Sequence, residues 1–160
     1  MSERVGIAEL RIARAPAQLK AFGLGSCLAV ALYDPGARIG GLVHCLLPQQ
    51  RRDEPLSEAG KYVDAAIRLM AEELLREVAA LERLQAKIVG GANMFETAYL
   101  TLMNSIGVRN ARSARETLQE LGIPLAGEEV GGNRGRTVAF DLASGRLLVY
   151  CARDDTTTTL

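Results

Sequence analysis

The sequence predicts an α+β fold, a single-domain layered sandwich of mixed β-sheets with two main helices packed on one face. Three observations lead there. The 160 residues suffice for one sizeable core but fall short of two ordinary domains. Apolar runs of strand length, punctuated by glycine and proline, lie in the first 50 residues and again in the last third. Between these regions, two stretches carry apolar residues at three- and four-residue spacing. Hydrophobic residues make up 48% of the chain and aromatics only 4%, with no Trp. The core is therefore expected to be built from Ala, Leu, Val and Ile.

In chain order, Val5 and Ile7 alternate before the phase shifts to Leu10 and Ile12, which reads as a bulged strand or two short strands closed by Pro16. After a glycine turn at 23–27, Leu28 to Tyr33 is apolar throughout and ends at Asp34-Pro35-Gly36. A second apolar run follows from Ile39 to Leu47, so the pair reads as a hairpin buried on both faces. Residues 49–55 form a polar connection. Val63, Ala66, Ile67, Met70, Leu74, Val78 and Leu81 then predict an amphipathic helix over about 58–82. Leu84 to Val89 is a short strand, Asn93-Met94-Phe95 a turn, and Val108 to Leu121 a second helix stopped by Gly122 and Pro124. Leu125 to Val130, Thr137 to Leu142 and Arg146 to Cys151 are strands. The loop 131–136 is expected to be a hairpin or bulge connection rather than a phosphate cradle, since no helix follows it. Residues 154–160 read as a short polar tail that frays.

Lys plus Arg balance Asp plus Glu at 19 each, which removes any charge-based argument for a nucleic-acid or anionic-membrane partner. Three cysteines, Cys27, Cys45 and Cys151, lack CxxC spacing, so neither a disulfide framework nor a zinc site is favoured. A reduced, cytoplasmic protein is expected. Charges at Glu3, Arg4, Glu9, Arg11 and Arg14 interrupt the N-terminus before a signal core or membrane span can form.

Chemistry concentrates at Gly23-Leu24-Gly25-Ser26-Cys27 and at His44, the single histidine of the chain. A thiolate is a strong nucleophile but sparse at neutral pH, so a cysteine enzyme needs a base beside it and amides facing the reacting carbonyl. Cys27 and His44 meet the first need. Gly23 and Gly25 leave the backbone free for a tight turn whose N–H groups, around Ser26 and Cys27, can hold an oxyanion. A lone cysteine in an apolar run is ordinarily inert packing. Cys27 differs in standing at the junction of a glycine turn and a strand. Because neighbouring strand residues point to opposite faces, a His44 turned toward Cys27 sends Cys45 into the core.

Leu24-Gly25-Ser26-Cys27, the Asp34-Pro35 turn, Gly41 to Pro48 around His44, Lys61-Tyr62 with Asp64, and Ala86-Lys87 form one ordered series. It continues through Gly90-Gly91-Ala92 with Met94-Phe95, Ile106-Gly107, Arg109-Asn110, Gly122-Ile123-Pro124, Gly131-Gly132 and Gly135-Arg136. On these residues the chain resembles the CheD family, the bacterial chemoreceptor glutamine deamidases, over almost its whole length. The resemblance implies a CheD-like domain over residues 1–153 and a fold similar to that of the cytotoxic necrotizing factor toxins. It implies that Cys27 is the nucleophile and His44 the base, with Gly25 and Ser26 in the oxyanion turn and neither cofactor nor metal. In the family a threonine completes the triad; the matching position here is Ala21, which has no side-chain oxygen to orient the imidazole. A main-chain carbonyl near Ala21 is the remaining candidate for that part.

The implied reaction is hydrolysis of a glutamine carboxamide through a thioester on Cys27, and methyl-ester hydrolysis can use the same parts. The implied partners are the cytoplasmic helices of chemoreceptors and a CheC-type phosphatase, without membrane insertion. The competing reading is a catalytically weak CheD-like binding module that docks to such a phosphatase or receptor. Ala21 favours it; the retention of both Cys27 and His44 speaks against it.

Overall fold

The computed structural model describes residues 1–93 and 101–160, and of residues 101–105 the backbone only. The expected turn at Met94-Phe95 lies outside the described residues. Among the described residues, ten strands form two mixed five-stranded sheets. The first sheet has the order β1 (Ser2–Arg4), β3 (Gln18–Leu24), β8 (Arg136–Asp141), β9 (Leu147–Cys151), β10 (Thr156–Thr159). The second has the order β2 (Leu10–Arg14), β5 (Ile39–Cys45), β4 (Leu28–Asp34), β6 (Gln85–Gly90), β7 (Leu125–Val130). One pair in each sheet, β1 with β3 and β6 with β7, is parallel. Helices α1 (Val63–Arg76) and α2 (Thr101–Leu121) pack on the second sheet. The result is a layered sandwich, sheet on sheet on helices.

The β4–β5 hairpin lies at the centre of these layers. Every residue of both strands is buried, because one face meets the helices and the other meets the first sheet. Leu28, Val30 and Leu32 join Ile67, Met70 and Leu74 of α1 in one cluster. Ala29, Ala31 and Tyr33 join Leu19, Ala21, Val138 and Phe140 in the other. The strand alternation is thus the partition between the two cores.

Of the two readings of the N-terminal segment, that of two short strands holds, and they lie in different sheets as β1 and β2. Other expectations are corrected. Strand β3 has no clean sequence pattern, because its inward residues, Leu19 and Ala21, alternate with Lys20 and an exposed Phe22. The expected long helix is shorter at both ends. A 3₁₀ turn occupies Leu56–Lys61, Tyr62 is extended, and α1 ends at Arg76. Its end is set by Asp34, whose buried carboxylate accepts from the Ala80 amide at 2.9 Å and from Arg83 Nε at 2.8 Å. This draws residues 77–83 off the helical path and leaves Val78 53% exposed. The loop 131–136 is no hairpin, since β7 and β8 belong to different sheets and it crosses between them.

The tail is the largest correction. Thr156–Thr159 pair antiparallel with β9, and Leu160 exchanges two backbone hydrogen bonds with Leu147, at 2.9 and 3.0 Å. Leu160 also packs against the inter-sheet core. Polar threonines are strand formers once an unpaired edge is offered to them. Among the described residues, no helix is long and apolar enough to cross a membrane.

Two outcomes follow. Truncation after Arg153 removes the edge strand and the Leu160 contact, worth about 2 kcal/mol, and should lower the melting midpoint by roughly 4–8 °C; an unchanged midpoint would mean that the segment is indeed frayed. Burial opposes ionisation of Asp34, but Arg83 and the amides of Ala80 and Ala37 outweigh it and hold its pKa at about 2, below the ordinary 3.8. A group depressed in the folded state contributes fully above the unfolded value and loses that contribution as pH falls through the folded one. Asp34→Asn should therefore lower the midpoint at pH 7 by roughly 5 °C and flatten the loss of stability between about pH 4 and 2. Melting curves across that range check both parts, and parallel curves for the two proteins would refute the assignment.

Candidate active site

Cys27 ends the bend that carries the chain from β3 in the first sheet to β4 in the second. The bend turns on Gly23, at φ 69°, where the β3–β8 register also slips. Cys27 is half-buried at the rim of the inter-sheet core, on the same face as Ala29. Ala29 stands directly opposite His44 in the β4–β5 register. Cys27 and His44 are therefore diagonal neighbours on one face, a relation that places Cα atoms about 7–8 Å apart. Cys45, opposite Leu28, turns to the helix side and is fully buried there.

His44 is 2% exposed, and among the described residues neither ring nitrogen has a hydrogen-bond partner. Its backbone is strapped from both sides, with its amide donating to Glu9 O at 3.2 Å and its carbonyl accepting from Ala8 at 2.8 Å. Burial lowers the imidazole pKa from its usual 6.5; the Val5 carbonyl pushes it up, and Arg4 pushes it down again. The Val5 oxygen is thus near the ring but outside hydrogen-bond geometry. Val5 itself donates to Lys20 O at 2.7 Å, which sets it beside Ala21. Ala21 is fully buried in the inter-sheet core.

Burial raises the Cys27 thiol above its usual 9.0, opposed by its own backbone amide. Each shift favours the neutral form of its group. Among the described residues, the amides of Ser26 and Cys27 donate to no main-chain acceptor, whereas that of Gly25 donates back to Gly23 O at 3.1 Å.

The bend is braced by residues to which the sequence attached no role. Gly91 donates to Cys27 O and Ala92 to Gly25 O, each at 2.8 Å. Gly90 lies so close that a Cβ there would come to 2.3 Å from Cys27 O, and its φ of 118° also demands glycine. Gly90 O in turn accepts from Gly131 at 3.0 Å and from Arg136 Nη1 at 3.2 Å, while Arg136 Nε pairs with Glu129 at 3.0 Å. From α2, Asn110 Nδ2 donates to Ser26 O at 2.9 Å and to Leu46 O at 3.1 Å. The glycine pairs that look like phosphate loops are thus the scaffold behind Cys27. Glycine pairs closing a strand were the available signal for them; Asn110 had none beyond its place in a motif.

The family model for CheD, chemotactic sensory transduction, matches residues 46–151, a segment that begins just beyond His44 and excludes Cys27. Curated relatives extend over both. A Geobacter metallireducens protein named probable chemoreceptor glutamine deamidase CheD 2 is 48% identical over 146 residues, covering 91% of this chain and 90% of its own length. The probable chemoreceptor glutamine deamidase CheD of Moorella thermoacetica is 49% identical over 148 residues, covering 91% and 88%. That of Methanosarcina barkeri is 44% identical over 149 residues, covering 91% and 93%. With similarity of this extent on both sides, the chain belongs to the CheD family.

Proposed function

We propose that this chain is a chemoreceptor glutamine deamidase that works through Cys27 and His44. The residue assignment is supported by the shared face of the β4–β5 register, on which the half-buried thiol of Cys27 and the buried, unpaired imidazole of His44 both lie.

Sγ of Cys27 bonds to the carboxamide carbon of a substrate glutamine as His44 takes the thiol proton. The carbonyl oxygen becomes an oxyanion held by the amides of Ser26 and Cys27. The C–N bond then breaks, with the His44 proton passing to the departing nitrogen and ammonia leaving. Water adds to the thioester as His44 accepts its proton; the C–S bond breaks, the thiol is restored, and the substrate carries glutamate. The Val5 carbonyl takes the place of the absent Ala21 hydroxyl by drawing one ring N–H toward itself, which leaves the other nitrogen for the thiol. A fold of the cytotoxic necrotizing factor type, a cytoplasmic location, methyl-ester hydrolysis and regulation by a CheC-type phosphatase belong to the same reading.

Ala21, together with the unpaired ring of His44, favours a second reading, in which the chain binds such a phosphatase or a receptor and turns over slowly or not at all. Incubation with receptor cytoplasmic fragments, followed by mass spectrometry for the roughly +1 Da change from amide to acid, separates the two. Cys27→Ala should abolish the change, while Cys45→Ala, on the opposite face, should keep activity within about threefold. Full activity of the Cys27 variant would end the cysteine mechanism; an inert natural chain that binds the phosphatase tightly would establish the second reading.

For His44→Asn, kcat should fall by about two to four orders of magnitude with the fold retained. The acidic limb of the natural chain's pH profile should lie below the ordinary histidine value of 6.5, because burial keeps the imidazole neutral to lower pH. Alkylation of Cys27 should accelerate only above the ordinary thiol range, since its pKa is raised. An acidic limb at or above 6.5, or a His44→Asn profile superimposable on the natural one, would show that His44 is not the base.

A further inference from the structure

Asn110 lies on α2, is fully buried, and its amide group donates two hydrogen bonds, to Ser26 O and to Leu46 O. The orientation of that amide is settled by these two contacts, since the flipped form would set Oδ1 against two carbonyl oxygens. Its own Oδ1 is buried and has no partner. An apolar side chain of similar volume would avoid that unpaired acceptor. The helix is seated at this level by Ser113 Oγ, which donates to Pro48 O at 2.6 Å. It is also seated by the contact of Gly107 with Gly91, where a Cβ on Gly107 would come to 2.5 Å from Gly91 O.

The Ser26 carbonyl and the Cys27 N–H belong to one planar peptide unit and point in opposite directions. A donor that fixes the carbonyl therefore fixes the direction of the N–H. It also polarises the unit and makes that N–H a stronger donor. We infer that Asn110 is a positioning residue that aims and strengthens the Cys27 amide toward the oxyanion of the tetrahedral intermediate. Its second bond, to the carbonyl two residues beyond His44, ties the strand carrying the base to the same anchor. The inference rests on the deamidase reading above.

The test compares Asn110→Ala and Asn110→Leu in the full-length chain, the second variant filling the site without supplying a donor. Two reactions of Cys27 are measured: deamidation of a receptor fragment, which passes through an oxyanion, and alkylation by iodoacetamide, which displaces iodide at a saturated carbon and forms none. Both variants should lose about 10- to 100-fold in kcat with KM within about threefold. Alkylation rates and their pH profile should stay within about threefold of the natural chain. An unchanged kcat, a parallel loss of both reactions, or failure of both variants to fold would overturn the inference. An inert natural chain, or an active Cys27→Ala variant, would instead overturn the deamidase reading on which it rests.

Discussion

The double burial of the β4–β5 hairpin is the constraint on which the rest of the structure depends. With both faces covered, each strand residue must serve one core or the other, and the two-residue period of the strand decides which. A slip of one residue would exchange His44 with Cys45 and send the imidazole among the helices. Packing holds the register. Leu28, Val30 and Leu32 fit the α1 side, while the smaller Ala29 and Ala31 meet the first sheet. Gly41 admits Met70 so closely that a Cβ would come to 2.7 Å from its sulfur. The face carrying Cys27 and His44 thus inherits its accuracy from the hydrophobic core.

The same burial shapes the electrostatics. It raises the thiol and lowers the imidazole, so each favours its neutral form. A buried polar group without a partner costs about 1–3 kcal/mol. Packing alone does not call for that cost at His44, where an apolar residue would avoid it. On the proposed reading of His44 as the base, it meets its partners only when substrate arrives, and catalytic hydrogen bonds commonly tighten at that stage.

Behind the thiol, the backbone of the Cys27 bend is held by main-chain groups more than by side chains. Gly91 and Ala92 reach it from the end of β6, and Gly131 and Arg136 hold that segment from the crossover between the sheets. Such donors lose little conformational entropy when they engage, so the bend is organised before substrate binds. Glycine is required at Gly90 for a steric reason: any side chain there would strike the Cys27 carbonyl.

Local patterns in the sequence determined much of this protein. The apolar runs 28–33 and 39–47 specify a hairpin buried on both faces, the 63–74 periodicity specifies α1, and the glycine turn before Cys27 sets that residue at the mouth of β4. The opposed facing of His44 and Cys45 follows from strand geometry alone. Only the tertiary structure decided where α1 stops, because Asp34 captures Ala80 and Arg83 from far along the chain. It also decided that the threonine tail is a strand, because its order depends on the free edge of β9. The contacts that Gly90, Arg136 and Asn110 make around the bend were settled in the same way. Hydrophobic period and turn chemistry are written in neighbouring residues, whereas a carbonyl's partner or an edge's neighbour is chosen by contacts between residues remote in sequence, which no local pattern encodes.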